Sequence, residues 1–170
     1  MISTKRILAL SALAALAAFP SCNSNIDDAD GPHVILEAEN LTIPPVNGQV
    51  DTVTQICTFS VQNANVTFKN KPKNEQGASS PFNDIVLENV HVTYDWGPGG
   101  QAMGPADFGL GGTVPANGSA PAQFAVVSGL DLSTHEGQIG SLTLTFSGHT
   151  VSGEAVSTTT GGTIAVGTCQ

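Results

Sequence analysis

Apolar and polar residues alternate with a period of two along most of the chain after His33, and this alternation predicts β-strands. In the strongest run, residues 81–96, the apolar side chains occupy one parity before Glu88 and Asn89 and the other parity after them. Because successive side chains of a strand point to opposite faces, this change of parity predicts a β-bulge at Glu88 and Asn89.

Five further runs are interpreted as strands, namely residues 33–43, 53–68, 122–127, 140–148 and 159–168. In the run 53–68 a turn or bulge is predicted at residues 63–65, because the apolar positions change parity there. The residues predicted to face inward before that change are Val53, Cys57, Phe59 and Val61. Short strands with glycine-rich turns favour an all-β antiparallel sandwich of about seven strands over residues 33–170.

Tyr94 and Trp96 are the only tyrosine and tryptophan of the chain, and they precede a glycine-rich segment, residues 97–119. This segment is predicted to be a long loop, and long loops often carry function. Two interpretations of the aromatic residues stay open. We favour a core role for Trp96, packed between the two sheets; alternatively, a partner-binding platform is formed by Tyr94, Trp96, Met103 and Phe108.

The first 22 residues have the layout of a secretory signal. Lys5 and Arg6 give a positive start, and residues 7–19 are apolar except for Ser11. This run is shorter than the roughly 20 residues of a membrane-spanning helix, so we predict that residues 1–21 are cleaved off. Cleavage after Ala17 is the alternative, and it would leave Cys22 as an ordinary thiol.

Ser21-Cys22 resembles the lipobox of bacterial lipoproteins, in which a small residue precedes the cysteine that is lipidated. The resemblance implies acylation of Cys22, a tether over residues 22–32 and attachment of a folded domain to a membrane through acyl chains. Asn23 stands where an aspartate retains many such lipoproteins in the inner membrane, so the resemblance implies the outer membrane of a bacterial cell envelope.

The charge of the chain excludes several classes of partner. After the signal, only Lys69, Lys71 and Lys73 oppose fourteen acidic residues, and these lysines lie in a stretch that we interpret as a solvated turn. Nucleic-acid binding depends on basic side chains that neutralise phosphates, so we expect no nucleic acid and no nucleotide as partner. Electrostatic adsorption to anionic lipid is disfavoured for the same reason, which leaves anchoring to the acyl chains.

Cys57 and Cys169 are the other two cysteines. Export to an oxidising compartment favours a disulfide between them, although Cys169 is out of step with Ile164 and Val166 on its strand. Two separate thiols are the alternative. No histidine or second cysteine lies at metal-ligand spacing from either, so we expect no metal site and no cofactor.

The sequences LTLTFSGHTVSGEAVSTTTGGTIAV and SPFNDIVLENVHVTYDW resemble exported bacterial lipoproteins with an immunoglobulin-like sandwich. The resemblance implies a fold and no particular activity. The order of Cys57, Trp96 and Cys169 is that of antibody domains, but Cys169 falls on the last strand instead of the penultimate one, so true immunoglobulin homology is not implied.

No catalytic sequence motif is found, and we expect a non-catalytic binding or structural module that meets an envelope protein or a glycan. Two alternatives stay open. The threonine-rich strands have few charged residues at their edges, which is compatible with a subunit that assembles by edge-strand pairing. A hydrolase triad built only in space, for example from Asp131, His135 and a serine, is the third hypothesis.

Overall fold

The computed structural model describes residues 33–73, 79–128 and 132–169, and in them it shows an all-β fold of two sheets. The predicted signal, Cys22 with its tether, and Asp131 lie outside these residues. The described part contains ten strands: β1 (Val34–Thr42), β2 (Val46–Val50), β3 (Cys57–Phe59), β4 (Gln62–Pro72), β5 (Ile85–Asp95), β6 (Ala106–Gly109), β7 (Thr113–Val114), β8 (Ser119–Val127), β9 (Ile139–Thr150) and β10 (Ala155–Cys169). No helix long and apolar enough to cross a membrane occurs among them.

The smaller sheet has the order β1-β4-β8, and all its neighbours are antiparallel. Buried side chains alternate along β4 from Ala64 to Asn70 and at the start of β1, as one face of a half-buried sheet requires. On the outer face, Lys69 pairs with Glu39 at 2.6 Å and Lys71 pairs with Glu37 at 2.5 Å. The hydrogen bond to the Glu37 carboxylate raises the pKa of Lys71 above its ordinary value of 10.5.

The larger sheet has the order β3-β2-β10-β9-β5-β6, and β7 also pairs with β5. The long strand β9 is antiparallel to both of its neighbours, β5 and β10. β10 runs parallel to β2, so the sandwich is not antiparallel throughout, contrary to the prediction. The register of β5 against β9 shifts between Leu87 and Asn89, which confirms the predicted bulge. The extra residue leaves Glu88 and Asn89 both exposed and returns Val90 to the core.

The core lies between the two sheets and is centred on three phenylalanines. Phe146 of β9 meets Phe68 at a ring-centroid distance of 4.9 Å and Phe124 at 5.2 Å, both edge to face. Such pairs add stability beyond the area that they bury. Because Phe68 and Phe124 belong to the small sheet and Phe146 to the large one, these contacts hold the two layers together.

Two sequence-based predictions about loops and turns were wrong. Residues 97–119 are not one long loop, because β6 and β7 within them pair with β5 and raise the strand count above seven. The lysine stretch is not a turn: β4 continues to Pro72, and Lys69 and Lys71 project from it toward the glutamates of β1.

The sandwich has two ends that differ in content. The entry end contains His33, the 3₁₀ turn Pro81–Asn83 and the hairpin turn 151–154, which are joined by hydrogen bonds. The disulfide end contains the loop 51–56, Val61, residues 132–138 and Cys169. β10 begins beside the entry end at Ala155 and finishes at the disulfide end at Cys169.

Candidate functional site

The disulfide end is built around a bond between Cys57 and Cys169, whose Cα atoms are 6.0 Å apart. The predicted disulfide is therefore present in the structure. The register of β10 against β2 shifts between Val166 and Cys169, since Val166 pairs with Val46 and Cys169 with Gly48. Three steps on β10 thus match two on β2, and the extra residue corrects the parity that had placed Cys169 out of step.

Gly48 makes room for this bond. A Cβ atom at position 48 would lie 2.5 Å from Cys169 Sγ, 2.8 Å from Phe59 Cε1 and 3.0 Å from Cys57 Sγ. Real Cβ atoms do not approach neighbouring atoms so closely, so only glycine fits between these side chains without displacing them. The sulfur atoms and Phe59 consequently pack directly over the backbone of β2.

A cleft of about 600 Å³ opens beside the disulfide, and we name it the disulfide cleft. It lies where the edge strand β3 of the large sheet approaches the last residues of β8 and the 3₁₀ turn Ser133–His135. The residues that line it are Ile56, Cys57, Thr58, Phe59, Val61, Ser128 and Ser133. Its size falls within the usual range for small-molecule or side-chain binding sites.

Aliphatic side chains surround the disulfide cleft and are open to solvent. Ile56 is 60% exposed and Val61 is 56% exposed, while Val53 in the adjacent loop is 88% exposed. Val53 and Val61 were predicted to face inward, and that prediction was wrong. Val53 precedes β3, which begins only at Cys57, and Val61 follows its end at Phe59, where the chain crosses to the other sheet. The alternation therefore includes neither valine.

The loop that carries Val53 and Ile56 is closed by Asp51. One oxygen of its carboxylate accepts hydrogen bonds from the backbone N–H groups of Val53 and Thr54, both at 2.8 Å. Hydrogen bonds from Thr54 and Val53 lower the pKa of Asp51 below its ordinary value of 3.8. Hydrogen bonding to the charged form has this direction, and it gives the loop a defined shape although its aliphatic side chains are exposed.

The opposite wall of the disulfide cleft is attached to the last strand. Cys169 N–H donates to Glu136 Oε1 at 2.8 Å, and Val166 N–H donates to the Gln138 carbonyl at 2.9 Å. Leu132, which precedes the 3₁₀ turn, is fully buried. These contacts fix Ser133 at the rim of the cleft. Because Cys57 in the facing wall is bonded to Cys169, both walls are attached to β10.

Trp96 lies inside the disulfide end and stacks on His135, with ring centroids 4.1 Å apart. His135 is 2% exposed; its Nε2 donates to the Gln101 carbonyl at 2.9 Å, and its Nδ1 lies 3.0 Å from Thr134 Oγ1. A Cβ atom on Gly140 would come within 2.6 Å of the Trp96 ring, which shows how closely the indole is enclosed. In these contacts His135 joins the loop after β5 to the wall of the cleft.

The four residues of the predicted binding platform all contact the core. Trp96 is 9% exposed, and Tyr94 donates its hydroxyl hydrogen to the Val126 carbonyl at 2.7 Å. Met103 and Phe108 are partly buried against the core. This placement agrees with the core interpretation of Trp96, and a partner-binding role for the four residues stays a prediction.

Sequence reasoning missed Ile56 and Val61 as surface residues. The available signal was Asp51 followed by Thr52 and Thr54, a pattern typical of a side-chain-capped turn. A turn there means that the predicted strand 53–68 cannot begin at Val53. Val53 and Ile56 then lie before β3 and are exposed.

The remaining histidines of the described residues each lie beside one carboxylate. His91 is 2.8 Å from Asp107, His149 is 3.1 Å from Glu88, and His33 is 3.5 Å from Glu154. Within the residues that the structure describes, no group of three or more histidine, cysteine, aspartate or glutamate side chains could hold a metal ion.

No protein-family model matches the chain, and no curated protein matches it in sequence. A solved structure described as the X-ray structure of Northeast Structural Genomics Consortium target SoR45 resembles it with a TM-score of 0.44 and 12% sequence identity. The similarity covers 80% of this chain and 88% of that one. The function is therefore argued from this chain's own residues.

Proposed function

We propose that the protein is a lipoprotein of the bacterial outer membrane whose domain is an immunoglobulin-like, non-catalytic binding module. Acyl chains on Cys22 anchor it, residues 22–32 connect the anchor to the domain, and the disulfide cleft binds the partner. The layout of the first 22 residues supports the anchor. The opposite placement of the entry end and the disulfide end supports the binding module.

The observation that carries the proposal is the length of β10. This strand has fifteen residues, from Ala155 beside the entry end to Cys169 at the cleft. At about 3.3 Å per residue, it separates the two ends by up to about 45 Å. An anchor before His33 therefore holds one end near the membrane and leaves the disulfide cleft facing away from it, where an envelope protein can reach it.

The composition of the disulfide cleft indicates the chemistry of the partner. Exposed large aliphatic side chains are uncommon in such clusters on monomeric proteins, and larger apolar patches of this kind mark interaction sites. Ile56 and Val61 provide apolar contact, while the hydroxyl groups of Ser128 and Ser133 provide polar contacts at the rim. We therefore favour an apolar side chain of another envelope protein over a glycan, which would require more polar groups.

Anchoring is tested by intact mass and fractionation of the protein produced in a bacterium. We expect a mass that shows loss of residues 1–21 and gain of acyl chains, and recovery in the membrane fraction. Cys22→Ser is expected to abolish both. An unmodified Cys22 in processed protein, or unchanged membrane attachment of Cys22→Ser, contradicts the proposal.

Binding through the cleft is tested with a photo-crosslinking amino acid placed at Ile56 in living cells. We expect one discrete adduct, which disappears when Val61→Ser removes an apolar contact from the same cleft. The matched control places the crosslinker at Ile139, which is 70% exposed but does not line the cleft. Equal adducts from both positions contradict a specific site, and an adduct of twice the protein's own mass indicates self-assembly instead.

A further inference from the structure

Two large apolar side chains are exposed together at the entry end. Phe82 is 65% exposed in the 3₁₀ turn Pro81–Asn83, and Val151 is 53% exposed in the turn between β9 and β10. The two turns are neighbours, because Ser152 N–H donates to the Phe82 carbonyl at 3.0 Å. Neither side chain belongs to the hydrophobic core of the described residues.

The turns that carry Phe82 and Val151 are held firmly. Val151 N–H donates to the Asp84 carbonyl at 2.9 Å, and Asp84 Oδ1 accepts from Ala116 N–H at 2.7 Å. On the other side of the turn, Asn70 Nδ2 donates to the Asn83 carbonyl at 2.7 Å. Both side chains are therefore presented from fixed backbone positions and lose little conformational freedom when they enter an apolar phase.

The chain enters the domain beside these turns. His33 N–H donates to Glu154 Oε2 at 3.0 Å, and Glu154 N–H donates to Thr150 Oγ1 at 2.9 Å, directly next to Val151. This part of the inference rests on the proposed anchoring at Cys22. Between Cys22 and His33 the chain can span at most about 40 Å when fully extended.

The reach of the chain between Cys22 and His33 determines which end of the domain meets the lipid. Contact through the disulfide end would place His33 up to about 45 Å from the membrane, a distance that the connecting chain could approach only when fully extended. The entry end can touch the membrane without any extension. Phe82 and Val151 are therefore exposed apolar residues in a favourable position for contact with the membrane.

Charge does not drive this contact, because the chain after the signal is acidic and Lys69 and Lys71 are paired with Glu39 and Glu37. All lysines that follow the signal, Lys69, Lys71 and Lys73, lie on β4 or directly after it, and Lys73 N–H donates to the His33 carbonyl at 2.9 Å. The carboxylates of Asp84 and Glu154 are both engaged by backbone N–H groups. Lysine side chains at a membrane surface extend their ammonium groups toward the lipid headgroups.

We infer that Phe82 and Val151 form a footing that inserts into the boundary between headgroups and acyl chains of the membrane that holds the Cys22 anchor. The footing sets the orientation of the domain. With two rigid side chains in the lipid, the domain stands on its entry end and the disulfide cleft points away from the surface. The anchor attaches the domain to the membrane, and the footing determines which end of the domain faces the membrane.

The test uses the full, processed protein reconstituted into phosphatidylethanolamine and phosphatidylglycerol vesicles that contain phosphatidylcholine brominated near the top of its acyl chains. Bromine quenches tryptophan fluorescence at close range. In Phe82→Trp, we expect at least about twofold more quenching than in the wild-type protein, since interfacial side chains lie about 5–10 Å into this boundary. The native Trp96 is buried and gives the same background in every variant.

The matched control is Val53→Trp, because Val53 is 88% exposed but lies at the disulfide end. We expect its fluorescence to be quenched no more than that of the wild-type protein. Wild-type quenching in Phe82→Trp, or equal quenching in both variants, overturns the footing. Intact mass of the same samples separates the two proposals: acylated protein without quenching at position 82 removes the footing alone, whereas protein without acyl chains removes the anchor as well.

Discussion

At the entry end, backbone hydrogen bonds join chain segments that are far apart in sequence, whereas at the disulfide end a covalent bond has the corresponding role. Lys73 N–H donates to the His33 carbonyl at 2.9 Å, and Ser152 N–H donates to the Phe82 carbonyl at 3.0 Å. At the other end β3 has only three residues, so its ladder to β2 is short and Cys57–Cys169 reinforces it. Long strands are held in the sheets by many backbone hydrogen bonds. The edge strand β3 is short and its loop is exposed, and the disulfide adds a covalent link there.

The first prediction concerns the disulfide and has the largest expected effect. Cys57→Ser combined with Cys169→Ser is expected to lower the free energy of unfolding by about 4 kcal/mol, because the bond closes a loop with a sequence separation of 112. Urea unfolding of oxidised protein measures it. Wild-type protein treated with reductant should match the double variant, and reductant should leave that variant unchanged.

The same variant also tests the difference between the ends. Amide hydrogen exchange should increase in β3 and in residues 51–56, while the amides of Lys73 and Val151 keep their protection. Equal loss of protection at both ends would show that the disulfide stabilises the whole sandwich uniformly.

The second prediction concerns Gly48. Gly48→Ala is expected to destabilise the protein by about 1–3 kcal/mol, because the added methyl group would collide with both sulfur atoms and with Phe59. The measurement is urea unfolding together with titration of free thiols, which should rise as the bond forms less completely. Gly109→Ala is the matched control on β6, where an added Cβ meets nothing within 4 Å.

The third prediction moves to the entry end and is smaller. Glu154→Ala removes the acceptor of the His33 N–H bond and a contact of 3.5 Å to its imidazole, so we expect a loss of about 0.5–1 kcal/mol. Glu88→Ala removes a similar contact, at 3.1 Å to His149, but the Glu88 side chain is 54% exposed whereas that of Glu154 is 28% exposed. Thermal unfolding should show a smaller change for Glu88→Ala; the opposite order would contradict the structural role of Glu154.

The fourth prediction is a local effect of pH on the disulfide end. The pKa of Asp51 is lower in the folded protein, because its carboxylate accepts hydrogen bonds from Thr54 and Val53. A carboxyl group with a depressed pKa stabilises the fold fully above its ordinary value of 3.8, and the contribution is lost as the pH falls through the folded-state pKa. The protection factors of the Val53 and Thr54 amides, taken relative to intrinsic exchange at the same pH, should therefore fall below pH 3.8, while that of Lys73 is unaffected; in Asp51→Asn this pH dependence should disappear.

The sequence predicted the strands whose two faces meet different environments. β5, β8, β9 and β10 alternate between core and solvent, so their existence and the bulge after Leu87 could be inferred from parity alone. The strands β6 and β7 could not be found in this way. They are short edge segments in a glycine-rich stretch, and their pairing with β5 depends on the tertiary arrangement and not on a local pattern.

The candidate site was predicted only in part. Pairing of Cys57 with Cys169 followed from the export signal, whereas the bulge that makes the geometry possible was not predicted, although Gly167 is a residue type that often marks a bulge within a strand. The disulfide cleft was not foreseen, because it is formed by residues from three separate segments of the chain. Trp96 was singled out from the sequence, and in the structure its ring stacks on His135, which lies inside the domain.

The antiparallel register of β1 and β4 determines how the domain would carry tension. An anchored protein whose cleft is gripped by a partner would be pulled at Val34, the start of β1, and near Gln62, the start of β4. These two points lie at opposite ends of one ladder, from Val34 opposite Pro72 to Thr42 opposite Asn65. The pull would load that ladder in shear, so its hydrogen bonds would share the force and break together, instead of breaking one after another from one end of the ladder.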